Sequence, residues 1–154
     1  VSQMNVLLST NKHDKYERIQ SFEKESERLG IKILSKSINT CGWDYEIYRK
    51  KDPSQGIIHS EIMPSIRCKG ISANAAREIV KKAPYKNLKD LVYKTEMKFI
   101  DLKSIEALCD AGFFKNKDTG KNRDKNRVID KFNMLRKDRK KLEAKGQTDD
   151  NLFG

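Results

Sequence analysis

The chain is poor in the residues that build disulfide scaffolds and metal centres. It has 154 residues but only three cysteines, Cys41, Cys68 and Cys109, far apart and odd in number, with no Cys-x-x-Cys. That excludes a cystine framework and a zinc ribbon, and it reads as reduced thiols in a cytosolic setting. The two histidines, His13 and His59, have no ligand-like neighbours and do not read as a metal site. No apolar run approaches the ~20 residues of a membrane span, and no signal peptide is visible. Hydrophobic residues make up 36%, which limits the core to a small one and favours helices.

Positive charge is what the chain has in excess. Lys and Arg number 33 against 22 Asp and Glu, for a net charge of +11 and a pI near 9.6. This balance points to a polyanionic partner rather than an acidic small molecule. From Lys115 to Lys145 there are 13 basic and 5 acidic residues, a net of +8. The segment reads either as a solvated basic helix face or as a surface that tracks phosphates.

The pattern predicts a mainly α fold with a small β-element. Asn11 is placed to cap a helix carrying Tyr16, Ile19, Phe22 and Leu29 on its apolar side, ending at Gly30. Ile31–Leu34 reads as a short strand. Cys41–Tyr48 alternates, with Trp43, Tyr45 and Ile47 on one side. Asp52-Pro53-Ser54-Gln55-Gly56 is a turn, and Ile57–Met63 returns as a strand that Pro64 stops. Ser72 caps a helix over Ala73–Lys82, Asn87–Tyr93 forms another, and Asp101 caps a third containing Leu102, Ile105 and Leu108. Gly112 closes that helix, and Phe113-Phe114 folds back on the core. Lys115–Asn122 reads as a polar loop. A long helix follows from about Arg123 to Lys145, with Val128, Phe132, Leu135 and Leu142 as its seam. Gly146 ends it, leaving 147–154 as an exposed tail.

The most informative stretch is Ile66-Arg67-Cys68-Lys69-Gly70-Ile71-Ser72-Ala73-Asn74-Ala75-Ala76. A tight turn at Gly70 opens at once into a helix, so N–H groups without intrahelical partners point outward beside the positive end of the helix dipole. That is an anion site. With Arg67 and Lys69 beside it, the expected anion is a nucleic-acid phosphate, gripped through Gly70, Ile71, Ser72, Ala73 and Asn74 without reading bases. This is the logic of a helix-hairpin-helix element. Lys121, Arg123, Lys125 and Arg127 are the second set of candidate phosphate contacts.

Several segments, in shared order and spacing, resemble the C-family replicative polymerases, the bacterial DNA polymerase III alpha subunits and their phage versions. Glu27-Arg28-Leu29-Gly30-Ile31-Lys32-Ile33-Leu34 is similar to the family's arginine-x-glycine-isoleucine-x-valine-leucine segment. Ile38-Asn39 and Trp43-Asp44-Tyr45 match the asparagine and aromatic positions that follow. Lys69-Gly70-Ile71-Ser72 resembles its lysine-glycine-valine-glycine hairpin, with Ser72 in place of the second glycine. That departure leaves two readings: a turn less tolerant of positive φ, or a hydroxyl that caps the helix. Pro84-Tyr85-Lys86-Asn87-Leu88-Lys89-Asp90-Leu91 and Ile105-Glu106-Ala107-Leu108-Cys109-Asp110-Ala111-Gly112-Phe113 resemble the stretches beyond it.

The resemblance implies the end of the fingers with a β-element over 1–64 and a helix-hairpin-helix domain over 65–114. It further implies a basic loop and amphipathic helix over 115–146, and a clamp-binding tail over 147–154. Gln147, Asp149, Leu152 and Phe153 are similar to the peptide such polymerases dock into the sliding clamp, in an irregular register. The implied partners are duplex or primer-template DNA, the clamp and the rest of the polymerase, in the bacterial cytoplasm. No catalytic residue is expected here, and no cofactor. The Mg2+-binding aspartates of the parent enzyme would lie upstream of Val1, whose identity suggests a fragment or a processed chain. A self-standing DNA-binding accessory and a basic protein-interaction module are the competing readings.

Overall fold

The structure, a computed structural model, describes residues 1–10, 14–51, 54, 58–116 and 118–153, with side chains outside 50–51, 58–59 and 146–153. The chain divides into two units, Val1–Lys69 and Gly70–Gly154.

In the first unit, α1 (Ser2–Leu8) and α2 (Lys15–Arg28) pack on a three-stranded sheet of β1 (Lys32–Ile33), β2 (Glu46–Lys51) and β3 (Ile58–Met63). The strand order is β1-β3-β2, with β1 parallel and β2 antiparallel to the central β3. Met4, Leu7, Leu8, Ile19, Tyr45 and Ile62 form the core, with Tyr16 and Phe22 against it. The Asn5 side chain fixes α1 to the sheet by bonding both peptide groups of Tyr45, at 2.7 Å and 3.1 Å. Tyr45 in turn donates its hydroxyl to Glu23 of α2. Burial and that carboxylate push the phenol's pKa far up.

Gly30 ends the second helix as expected. It has φ +84°, and the Gly30 and Ile31 N–H groups bond back to the Glu27 and Ser26 carbonyls, the paired pattern of a Schellman stop. Asn11 lies outside the described residues, as does most of the 52–56 turn. α2 begins at Lys15, after Asp14. Two apolar positions depart from expectation. Leu29 is 65% exposed because it sits at the helix C-cap, beyond the buried stripe. Ile47 is 46% exposed because β2 is an edge strand with cover on one flank only.

The second unit is helical: α3 (Ala73–Lys82), α4 (Leu88–Lys94), α5 (Leu102–Asp110) and α6 (Lys125–Phe153). Its buried residues include Ala75, Ala76 and Ile79 from α3, Leu91 and Val92 from α4, and Ile105, Ala107 and Leu108 from α5. Phe113 follows α5 into the interior, and α6 contributes Val128, Phe132 and Leu135. Leu142, expected in that seam, is 57% exposed. It lies almost one turn beyond Arg139, the residue through which α6 bonds the end of α4.

Where a polar loop was expected, the described residues form a turn. Lys115 and Asn122 form an antiparallel bridge, and Asn116 Oδ1 accepts from the N–H groups of Asp118 and Thr119 at 2.8 Å and 3.3 Å. The expected stop at Gly146 does not occur, and α6 continues to Phe153. A glycine inside a helix costs about 1 kcal/mol relative to alanine, which neighbouring turns can offset. It acts as a stop only where the chain turns left-handed. Among the described residues no helix is long and apolar enough to cross a membrane.

Candidate nucleic-acid interface

Gly70 has φ +93°, which disfavours any side chain, and a Cβ built there would stand 3.3 Å from the Cβ of Ala107 on α5. The turn is thus set by backbone sign and by close approach together. Ile71 leads into Ser72, which is extended (φ −77°, ψ 157°). The Ser72 hydroxyl accepts from the Ala75 N–H at 3.1 Å, and its carbonyl accepts from Ala76 N–H at 3.0 Å. The serine in place of a second glycine therefore acts as a cap and has no need of positive φ. The N–H groups of Ala73 and Asn74, both on exposed residues, are left without intrahelical partners. Buried Ala75 and Ala76 let α3 sit close to its neighbours, while Lys81 and Lys82 complement the dipole at its far end.

The other helix starts in this unit are acidic. Asn87 caps α4 by accepting from Asp90 N–H at 2.9 Å, and Asp90 itself accepts from Lys86 N–H at 2.9 Å. Asp101 caps α5, accepting from the N–H and hydroxyl of Ser104 at 2.9 Å and 2.8 Å. Those bonds hold the Asp101 carboxyl below the usual carboxylate range. Asp124 accepts from Asn126 N–H at 3.0 Å as α6 begins. Each carboxylate occupies or repels the place an incoming anion would take. Among these four starts only that of α3 is free of acid, and exposed Lys69 adds a positive charge beside it.

Arg67 belongs to the first unit in its chemistry as well as its position. Its Nε donates to the Trp43 carbonyl at 2.8 Å, its guanidinium lies 4.2 Å from the Trp43 ring, and it pairs with Asp44. Its side chain is 10% exposed. A stacked, neutralised and largely buried guanidinium is committed to holding its own unit together.

The second basic set lies on the 115–123 turn and the first turn of α6. Lys121 and Arg127 are exposed. Arg123 Nε donates to the Lys115 carbonyl at 3.4 Å, and Lys125 pairs with Asp110 at 2.8 Å. The bond to Asp110 raises the Lys125 pKa. The Gly70 turn and this second basic set both border α5: Gly70 faces Ala107, and Lys125 pairs with Asp110, three residues or about 4.5 Å further along that helix.

Two features had no sequence signal. No helix precedes the Gly70 turn, since β3 stops at Met63 and α3 starts at Ala73. Helices flank a turn on both sides at Thr95–Asp101, between α4 and α5. That turn is anchored by Arg139 of α6, whose Nη1 donates to the carbonyls of Val92 and Thr95. Gln147, Asp149, Leu152 and Phe153 lie on the last turns of α6, where side chains are outside the described set.

A family model described as the helix-hairpin-helix motif matches residues 30–126. The DNA polymerase III subunit alpha of Chlamydia muridarum is 29% identical over 109 residues, and that of Chlamydia trachomatis serovar D is 31% identical over the same length. Each alignment covers 70% of this chain and 8% of the relative, so the chain spans a small part of these proteins. The matched range takes in the sheet, the Gly70 turn, α3 to α5 and the first residues of α6. By that match the chain belongs to the helix-hairpin-helix family.

Proposed function

We propose that this chain is a non-catalytic module of a bacterial or phage replicative DNA polymerase, and that it grips the backbone of duplex or primer-template DNA. The observation that carries the reading is the start of α3. Positive-φ Gly70, a neutral serine cap and the free N–H groups of Ala73 and Asn74 make one acid-free anion site, with Lys69 beside it. Lys121, Arg123 and Arg127, on the turn and helix start that meet α5 at Asp110, extend it. Arg67 is left out, because its charge is already matched. The similarity to polymerase alpha subunits supports the assignment to a larger enzyme, which would extend primers with Mg2+ held by residues outside this chain. Such an enzyme would work in the cytoplasm with the rest of the polymerase as partner.

The test is chemical-shift mapping on titration with a duplex of arbitrary sequence. Shifts should concentrate at Lys69–Ala76 and at Lys121–Arg127, and a scrambled duplex should give the same pattern at the same salt. An undisturbed Lys69–Ala76 segment would sink the assignment.

Tethering to the sliding clamp through Gln147, Asp149, Leu152 and Phe153 belongs to the same proposal. Two apolar anchors supply roughly 3–6 kcal/mol before ordering costs, too little for nanomolar affinity. Leu152→Ala with Phe153→Ala should abolish binding to the cognate clamp and leave DNA affinity unchanged. Equal clamp affinity for both forms would place the contact elsewhere.

A further inference from the structure

The middle of α6 carries basic residues that the chain itself does not neutralise. From Lys125 to Lys145 there are 9 Lys and Arg against 3 Asp and Glu. Glu143 is taken by Arg139 at 2.9 Å. Asp130 and Asp138 stand four residues from Asn126, Met134 and Leu142, none of them a cation. The usual i,i+4 pairing of a solvated charged helix is therefore missing on this face, and the i,i+3 neighbours Asp138–Lys141 and Lys140–Glu143 form no ion pair among the described residues.

Instead, cations stand four apart from cations: Arg136 with Lys140, Lys137 with Lys141, and Lys141 with Lys145. Each such pair destabilises a helix by like-charge repulsion. The helix dipole does not offset this cost, because α6 runs on to Phe153 and these residues are not in its last turn.

At 3.6 residues per turn, Asn133, Lys137, Lys140 and Lys141 fall within about 100° of the helix circumference, roughly opposite buried Val128, Phe132 and Leu135. All four are exposed. Among the described residues the three lysine side chains have neither an ion pair nor a hydrogen bond.

We infer that this stripe is a second DNA-backbone track, separate from the α3 turn, with Lys137, Lys140 and Lys141 each neutralising a phosphate of the duplex. Charge complementarity chooses the partner. Duplex DNA carries one negative charge per about 1.7 Å of axis, so three ammonium groups spread over about 6 Å of helix meet phosphates in any register. The inference rests on the proposed DNA-binding function but not on the hairpin as its site.

The experiment measures the affinity of the full chain for a mixed-sequence 20-bp duplex by fluorescence anisotropy between 50 and 200 mM KCl. Wild type is compared with Lys137→Gln/Lys140→Gln/Lys141→Gln and with Lys69→Gln. Glutamine matches lysine in helix propensity, so circular dichroism should not change. Three lost phosphate contacts should flatten the log–log salt slope by about 2.7, and one lost contact by about 0.9. Over that salt range wild type should then lose about 40-fold more affinity than the triple variant.

An unchanged slope in the triple variant overturns the second track, while a response to Lys69→Gln would still support the hairpin. The reverse pattern removes the hairpin and leaves the track standing. A triple variant that keeps its DNA slope but no longer binds poly-L-glutamate also overturns the inference, in favour of an acidic protein partner.

Discussion

Replacing Gly70 tests whether its turn is fixed by backbone sign alone or also by the approach to α5. Gly70→Ala places a methyl group in a backbone at φ +93°, with its Cβ 3.3 Å from that of Ala107. The left-handed conformation alone costs a non-glycine residue about 1–2 kcal/mol. The contact is tighter than ordinary packing, and overpacking a fixed site adds about 1–3 kcal/mol. The expected loss is about 2–5 kcal/mol for alanine and more for valine, whose β-branch tolerates positive φ less well.

Gly30→Ala is the control. Gly30 has a similar φ of +84°, and nothing lies within 4 Å of an added Cβ, so only the conformational cost remains. Urea unfolding gives the numbers, and a double-mutant cycle with Ala107→Gly isolates the contact. Ala107→Gly by itself costs about 1 kcal/mol of helix propensity, so the cycle must include that single variant. A coupling energy near zero, with Gly70→Ala and Gly30→Ala equally destabilising, would show that α5 does not press on the turn.

Ser72→Ala should cost about 1 kcal/mol by equilibrium unfolding, the usual value of an N-cap, while Ser72→Asp should keep the cap but weaken duplex affinity by placing a carboxylate at the anion site. Asp101, whose folded pKa is depressed by its bonds to Ser104, contributes stability that is present above pH ~4 and lost as pH falls through that lowered value. Asp101→Asn should therefore shrink the loss of stability in acid, and an acid limb identical to wild type would refute the assignment. Arg67→Met should destabilise the first unit by about 1–3 kcal/mol through the unmatched Asp44 and Trp43 groups, yet leave the salt slope of DNA binding unchanged. A slope lowered by about one would return Arg67 to the phosphate-binding set.

Much of this chain was legible from local chemistry. Glycine at a helix stop, serine or aspartate before an apolar period, and proline beyond a helix each act over one turn of backbone. Hence Gly30, Ser72, Asp101 and the spans of α3 to α5 could be read directly from the sequence. The tight Gly70 turn opening into a capped helix was readable for the same reason. The elements that escaped depend on partners distant in sequence. Arg67 looks like a phosphate ligand beside Lys69, but Trp43 and Asp44, more than twenty residues earlier, claim it. Leu29, Ile47 and Leu142 fit apolar periods, but a period says which residues share a face and not whether anything covers it. Arg139 looks like one more cation in a basic run, and only the packing of α6 against α4 delivers it to the Val92 and Thr95 carbonyls. Sequence determined where α3 to α5 start and stop, because those costs are local, while the stop expected at Gly146 gave way to a longer α6. Tertiary structure decided which charges remain free to meet an anion, because neutralisation depends on which residues the fold brings within a few ångströms.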